Sequence, residues 1–591
     1  MLALSGVGCG LNTNDPFDGP VVSLDEAPPP ISGGTLLLTR DQRYAAVSDP
    51  DRSRVSFVDL EDQSVRHVAL PAGSEPGRLA EDGGGRVYAV LRGDARLAEI
   101  DPRDPAATLG FVPVCAAPRG LAWQEFGDRL HVACADGTLL SLGADRQVDQ
   151  RRTLAPDLRD VLVNDDGLLV TRFRSAEVLH VRLDGEIMPA QPLPIAQVEG
   201  IDSDGEPSGL TQFYRPSVAV RLRATPAGPI VLHQRARLGV EAVAERSDCT
   251  MSSYTYSNAP VDCGELTWRD PCGNAVVHAS LTRLSGAGQP LQTAAPMPRG
   301  VVPVDVAVSA AGQVAVAFAS EPGGDFRLGP QVLETTQAAL QVEETCLSSQ
   351  RDRAYEGQVV ALAYAGETLV AQLREPAALV IGDTSVPLGG PSVRDSGHDI
   401  FHLDTGGAVA CASCHPGGGD DGHVWAFGAV SPVRTTPLEG VVGMAPYHRA
   451  GDQPSFDSLM HTLSEQMAGP PLEDAQLRAV ESWLTRLPSA PRGPVLDAEQ
   501  VSRGETLFGE AGCADCHTGD LGTDGASHAI GGGFWQTPPL RGAALRAPYL
   551  HDGSARTLGE AIQPSREGAH GDTSAFTSDQ RADLEAYLES R

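Results

Sequence analysis

The chain contains no lysine: its 45 basic residues are all arginine, set against 77 carboxylates, and the formal net charge is −32. That imbalance excludes a surface built for nucleic acid or an anionic membrane, and favours a neutral or basic partner drawn in by long-range attraction. Long apolar runs are missing as well. None approaches the roughly 18 residues needed to carry a helix across a bilayer, so no membrane span is expected. Residues 32 to 390 also lack a convincing long helical period. What remains is a globular composition, 41% hydrophobic, in 591 residues. That length exceeds one ordinary core, and two or three domains are expected.

Cysteine is sparse, 11 in all, yet four of the eleven fall in two identical patterns, Cys411-Ala412-Ser413-Cys414-His415 and Cys513-Ala514-Asp515-Cys516-His517. Composition alone would produce about 0.005 such strings in a chain of this make-up. Cys-x-x-Cys-His is the pattern of covalent c-type haem attachment: the thiols take the haem vinyls as thioethers, and the adjacent histidine reaches the iron from one side. Two zinc knuckles would lie about 12 to 20 residues apart; these strings are offset by 102. A thioredoxin-like pair would need a βαβ setting, which neither copy has. The reading is therefore two covalently bound haem c groups, attached through Cys411, Cys414, Cys513 and Cys516, with His415 and His517 as iron ligands.

Of the other cysteines, Cys9 stands at the extreme N-terminus, leaving Cys115, Cys134, Cys249, Cys263, Cys272 and Cys346. An even remainder fits disulfides in an oxidising space, and thioether attachment in bacteria is likewise exported chemistry; buried free thiols are the alternative. Residues 1–9 read as the tail of a lipoprotein signal, with Gly8 before Cys9 as a candidate lipid anchor, or else as an ordinary disordered terminus. A periplasmic or outer-membrane-anchored protein is expected. Asp15 to Pro30 reads as a linker, and residues 1–31 are set apart as signal-like segment plus linker.

Residues 32–390 repeat. Pro76-Gly-Arg-Leu-Ala80 followed by Gly85-Arg-Val-Tyr-Ala-Val90 recurs as Pro118-Arg-Gly-Leu-Ala122 with Asp128-Arg-Leu-His-Val-Ala133, and again as Pro303-Val-Asp-Val-Ala307 with Gly312-Gln-Val-Ala-Val-Ala317. The hairpins between alternate as half-buried strands. A period near 40 residues with about four short strands each marks the blades of a propeller, about seven over this span. The repeat resembles the YVTN-type bacterial propellers, although the namesake tetrapeptide is absent. Between 240 and 290 the pattern is irregular, and Cys249, Cys263 and Cys272 crowd a long insertion expected to be a stapled loop. His67, His131, His180, His233 and His278 are scattered, so no catalytic metal set is expected in the propeller.

Beyond Pro391 a second repeat begins. Pro437-Leu-Glu-Gly440 and Ala445-Pro-Tyr-His-Arg-Ala-Gly451 match Pro539-Leu-Arg-Gly542 and Ala547-Pro-Tyr-Leu-His-Asp-Gly553 at the same offset of 102. Each copy closes with an apolar helical stripe, Leu477, Val480, Leu484 and Leu487 in the first and Leu584, Tyr587 and Leu588 in the second. The fold expected is an N-terminal all-β propeller of about seven blades (32–390) followed by two mainly α cytochrome c-like domains (391–492 and 493–591).

Ala410-Cys-Ala-Ser-Cys-His-Pro416 with Asp421-Gly422 and Trp425, Arg503-Gly504 with Leu507-Phe508, and Pro539 to Gly553 with Thr557-Leu558 make residues 394–591 similar to the bacterial di-haem cytochrome c peroxidase superfamily. The resemblance implies two haems in contact range, one feeding electrons and the other able to meet peroxide. The region is shorter than is usual for that family, and Glu439 stands where the second copy has Arg541, a natural propionate partner.

Aligning the closing helices sets Met467 opposite His570 as the expected distal ligands, with Met444, His423, His461, His528 and His551 as rivals. A Met and a His at those positions would separate the two haem potentials. Trp425 and Trp535 are candidate relays. Peroxide chemistry also needs an acid/base group, and no residue singles itself out as one, so the catalytic residues stay unassigned. The expected function is an exported di-haem c-type cytochrome, an electron-transfer oxidoreductase with peroxide reduction as the activity the resemblance adds. Its redox partner would be a small cytochrome or cupredoxin. The alternative is a propeller that binds a small molecule or protein, or oxidises a substrate, while the haems only conduct.

Overall fold

A computed structural model of the chain describes residues 20–591 apart from 106, 108, 203, 239–269, 274–275, 320–330, 343, 405–407, 426–431, 441, 467–471, 495, 531–532 and 565–570. Seven antiparallel sheets follow one another along the chain, spanning 36–69, 76–113, 118–153, 158–182, 196–293, 303–353 and 359–387. The first strand of each touches the first strand of the next, except in the fifth sheet, where the second strand, Pro207–Arg223, meets both neighbours; the seventh sheet touches the first, so the sheets close into a seven-bladed ring.

The physical unit of this ring is the interface between blades. Seven hydrophobic clusters occupy the seven interfaces, each drawing on two neighbouring sheets. Blade 2 shows how one strand serves two of them: Val87, Ala89 and Leu91 face blade 1, while Tyr88 and Val90 face blade 3. The period-2 alternation therefore separates two apolar neighbours rather than core from water. This differs from the half-buried strands expected from sequence; Val87–Leu91 is buried at every position. Outermost strands such as Val148–Thr153 have a solvent face. Blades 7 and 1 share no strand, and Leu36, Val47 and Val58 pack on Val370, Leu379 and Val386 to close the ring.

Charged side chains occupy the axis. Arg221 lies 2.6 Å from Asp160 and 3.3 Å from Asp305, and Arg78 is 3.6 Å from Asp160. Burial opposes ionisation of Asp160, but Arg221 and Arg78 outweigh it and hold its carboxyl below the usual range.

Among the described residues, two disulfides tie the propeller, Cys115–Cys134 and Cys272–Cys346. Cys272 thus reaches 74 residues away to blade 6 instead of closing the insertion on itself. Cys249 and Cys263 lie outside the described residues, as does Cys9. The scattered propeller histidines have local partners: His131 pairs with Ser141 and Gln124, His233 with Thr282, and His278 with Asp270.

Seven helices follow, α1 (Ser396–His402), α2 (Cys411–Cys414), α3 (Phe456–Gln466), α4 (Asp474–Thr485), α5 (Ala498–Glu510), α6 (Leu558–Ala561) and α7 (Ser578–Ser590). They form two units of one design. In the first, α1 crosses α4 with Gly397 against the Ala479 carbonyl and Trp483; in the second, α5 crosses α7 with Gly504 against the Asp583 carbonyl and Tyr587. Any side chain at either glycine would strike backbone, which is why both crossings use glycine. Thr577 caps α7 with Gln580 in the expected capping box.

Residues 20–31, expected as a linker, run instead as a strap over the first unit. Val22 N–H donates to Ser396 Oγ (3.0 Å), Trp483 Nε1 to the Pro28 carbonyl (2.9 Å) and Ile31 N–H to His402 Nε2 (3.2 Å). Proline cannot donate to a ladder, but its carbonyl still accepts. No described helix is long and apolar enough to cross a membrane.

Candidate haem sites

Each Cys-x-x-Cys-His string sits on a short helical turn that follows the unit's leading helix. In α2, Ser413 Oγ accepts from Ala410 N–H (3.1 Å) and pins the loop's entry. His415 then donates Nδ1–H to the Gly419 carbonyl (3.0 Å), and His517 does the same to Gly522 (2.8 Å). The Thr436 and Pro538 carbonyls, again 102 apart, face the same two rings. The Nδ1 hydrogen bond to backbone orients each ring, and Nε2 is the nitrogen that would ligate a haem iron. Burial lowers the pKa of both imidazoles, which favours the neutral form that a metal requires.

The thiols are the free cysteines of the described chain: Cys411, Cys414, Cys513 and Cys516. Burial pushes Cys411 and Cys513 up to about 11 and raises Cys414 and Cys516 as well. Reactive redox cysteines need the opposite shift. Paired thiols beside an oriented imidazole fit covalent haem attachment. Residues 501–591 match the cytochrome c family model. The C-terminal unit is a cytochrome c domain. That assignment implies covalently bound haem c and haem-based electron transfer.

No curated protein matches the chain. Among solved structures, hydrazine synthase of Kuenenia stuttgartiensis is similar at 15% identity over 62% of this chain and 99% of that one, with a TM-score of 0.42. Virginiamycin B lyase of Staphylococcus aureus is similar at 10% over 60% and 94%, TM-score 0.36. The dihydro-haem d1 dehydrogenase NirN is similar at 15% over 61% and 67%, TM-score 0.34. At these scores the likenesses carry no functional argument.

The unit before the cytochrome c domain meets it through an exchange that is the same in both directions. Arg434 N–H donates to the His551 carbonyl (2.7 Å), and Gln536 N–H donates to the Arg449 carbonyl (3.0 Å). Both donors and both acceptors are 102 residues apart, so the contact is self-complementary about a local two-fold axis. Beside it lies a buried charged knot. Arg434 reaches Asp420 (2.7 Å), and Arg174 of blade 4 reaches Asp157 (2.8 Å), the Asp420 carbonyl (3.0 Å) and the Leu545 carbonyl (3.1 Å). Burial opposes ionisation of Asp420, yet Arg434, Arg174 and Arg546 outweigh it and keep its carboxyl low; burial pushes Asp421 up to about 7. Arg449 Nε is buried without a partner, a donor suited to a propionate.

Glu439 and Arg541, the expected point of difference, have separate tasks. Glu439 accepts from Arg546 (3.2 Å), whereas Arg541 holds the Ala490 carbonyl (2.9 Å) and Asp520 (3.0 Å). Met467 and His570 lie outside the described residues. The rivals are placed: His423 Nε2 is hydrogen-bonded to the Arg237 carbonyl (3.1 Å), His528 to Asp524 (2.7 Å), His551 stacks on Trp535 at 4.1 Å, and His461 is exposed on α3. Met444 packs on Gly525 of the cytochrome c domain. Trp425 is buried against Cys414, Ala236 and Val277, and its Nε1 donates to Thr435 (3.0 Å). Sequence reasoning missed the arginines: Arg449 and Arg546 stand inside the repeated strings without being singled out, Arg174 and Arg434 follow no motif, and only the folded chain brings them together.

Proposed function

We propose that the protein is an exported di-haem c-type cytochrome that transfers electrons. In this reading Cys411 and Cys414 hold one haem with His415 on the iron, and Cys513 and Cys516 hold the second with His517. The observation that carries it is the reciprocal contact of Arg434 with His551 and of Gln536 with Arg449, which supports reading the first unit as a second copy of the cytochrome c domain. The haem supplies one-electron chemistry when bound; the chain orients each imidazole through its Nδ1 donor and surrounds the first site with paired charge. Distal positions are assigned to Met467 and His570. Export is supported by the Cys115–Cys134 and Cys272–Cys346 bonds.

The two sites differ in access, and this sets the proposed direction of exchange. Cys414 packs on propeller residues, with Ala412 and Ser413 buried beside it, while Ala514 and Asp515 next to Cys516 are exposed. A small cytochrome or cupredoxin would therefore meet the second haem, and the first would receive or deliver electrons internally. Peroxide reduction is the added activity proposed from the sequence resemblance, and it needs one iron with an open or displaceable sixth position. Two six-coordinate haems that ignore peroxide in spin-resonance spectra would remove it.

The direct test is the haem-to-chain ratio from the pyridine haemochrome spectrum of the purified protein. Two per chain is expected, and one per chain after Cys411→Ala with Cys414→Ala. A ratio of one in the unaltered protein would overturn the di-haem reading.

A further inference from the structure

Between the propeller mouth and the back of the first Cys-x-x-Cys-His loop lies a cavity of about 350 Å³. Blades 2 to 4 supply Arg92, Arg119, Arg159 and Arg174 to its wall; Ser32 of the strap and Ala412 and Gly417 of the first unit close the other side. Three of the guanidinium groups surround one aromatic ring, with Arg159 4.6 Å, Arg119 5.5 Å and Arg174 5.7 Å from the centre of Phe173. Such a volume suits a small molecule.

The charge on this wall does not balance. Arg92 has Glu75 at 3.2 Å, and Arg119 and Arg174 share Asp157 at 2.6 and 2.8 Å. Glu439, the other acidic residue on the wall, is engaged by Arg546. Arg159 has no carboxylate within 4 Å among the described residues. It gives Nη2 to the Ser32 carbonyl (2.8 Å), and its buried Nε has no partner. Burial and the neighbouring Arg78, Arg119 and Arg92 all disfavour its charge. An uncompensated cation in such a site is costly, and a bound counter-charge removes the cost.

We infer that this cavity binds a small organic anion carrying two or more carboxylates on an apolar body. The planar forks of Arg159 and Arg119 match carboxylates bidentately, and Phe173 with the neighbouring Val218 and Val220 offers an apolar surface for the body. The arginines that would bind the anion belong to the propeller while the first haem loop forms the opposite wall, so haem content and anion binding are read by separate measurements and can fail separately.

Titration calorimetry of the full holoprotein with phthalate and with citrate tests it, with inorganic phosphate as the compact comparison. Saturable binding of one phthalate or citrate per chain is expected, weakened about tenfold or more by Arg159→Gln and less by Arg159→Lys. Arg119→Gln gives the same direction if Arg159→Gln fails to fold, as judged by circular dichroism. Several results would overturn the inference: no binding of either carboxylate by the folded protein, affinity unchanged in both glutamine variants, or phosphate binding as tightly as the carboxylates. An absence of binding accompanied by a shifted potential of the first haem in Arg159→Gln would overturn it in favour of that haem's own propionates.

Discussion

His402 shows how a single side chain ties the strap to the helix that leads into the first haem loop. Its Nδ1–H donates to the His398 carbonyl (2.8 Å), and its Nε2 accepts from Ile31 N–H (3.2 Å). The ring lies 4.3 Å from that of His398, tilted by 37°, and both lie against Trp483. Protonation would turn the accepting nitrogen into a donor and break the contact with Ile31. Burial lowers the pKa of His402 well below its ordinary value, with the neighbouring His398 and Arg374 adding to the effect, and burial does the same to His398. The unfolded chain therefore binds more protons than the folded one once the pH drops below about 6.5. Stability contributed by these rings is complete above that value and is lost as the pH falls toward their folded pKa. Carboxylates held low, such as Asp160 and Asp420, act in a more acidic window. Thermal unfolding should shift down between pH 7.5 and pH 5, and His402→Gln should flatten that part of the curve. An identical pH slope in variant and parent would reject the role given to His402.

Among the elements, the seam between blades 7 and 1 is the place where chain connectivity gives least help. No strand is shared there, so the ring is held shut by packing, with Leu379 fully buried against Leu36 and Val47, together with polar contacts of Gln372 with Thr35 and Ser48 and of Arg374 with Asp51. Leu379→Ala should cost about 3 kcal/mol. The same change in an interface between consecutive blades, Leu97→Ala, should lower the unfolding midpoint by a similar amount while leaving blades 7 and 1 protected in hydrogen exchange; Leu379→Ala should expose them. Equal protection in the two variants would mean that packing at the seam is not what closes the ring.

The blades themselves were legible, because each repeats a strand pattern with turn residues near a 40-residue period. Which face of a strand is wet was not legible, since Val87 and Tyr88 are both apolar and meet different blades. The haem strings and the 102-residue offset were equally plain. The partner of Cys272 was not, because spacing says nothing about a bond spanning 74 residues. Nor was the arginine wall: Arg92, Arg119, Arg159 and Arg174 come from three blades, and any one of them reads as a surface charge until the ring is closed.

For the molecule as a whole, the net charge of −32 and the difference between the two haem loops bear on the same event. Exposed acidic residues flank the accessible loop, among them Glu510 and Asp515. The propeller buries the other loop behind Trp425 and Val277. On the proposed reading, a basic redox partner is attracted by the overall field and meets the haem held by the second loop, whose flanking residues are exposed. Attraction of this kind is screened over about 10 Å at 0.1 M salt, so the rate of electron exchange with a small basic cytochrome should fall about tenfold between low and moderate ionic strength. Glu510→Gln with Asp515→Asn should lower the low-salt rate. The same charge change on blade 4, Asp184→Asn with Glu186→Gln, should scarcely alter it, although those side chains are as exposed, at 60% and 59%. Stopped-flow oxidation of the reduced protein measures both. If the blade 4 pair slowed exchange as much as the pair beside Cys516, the partner would be responding to total charge only, and the second haem would lose its place as the port.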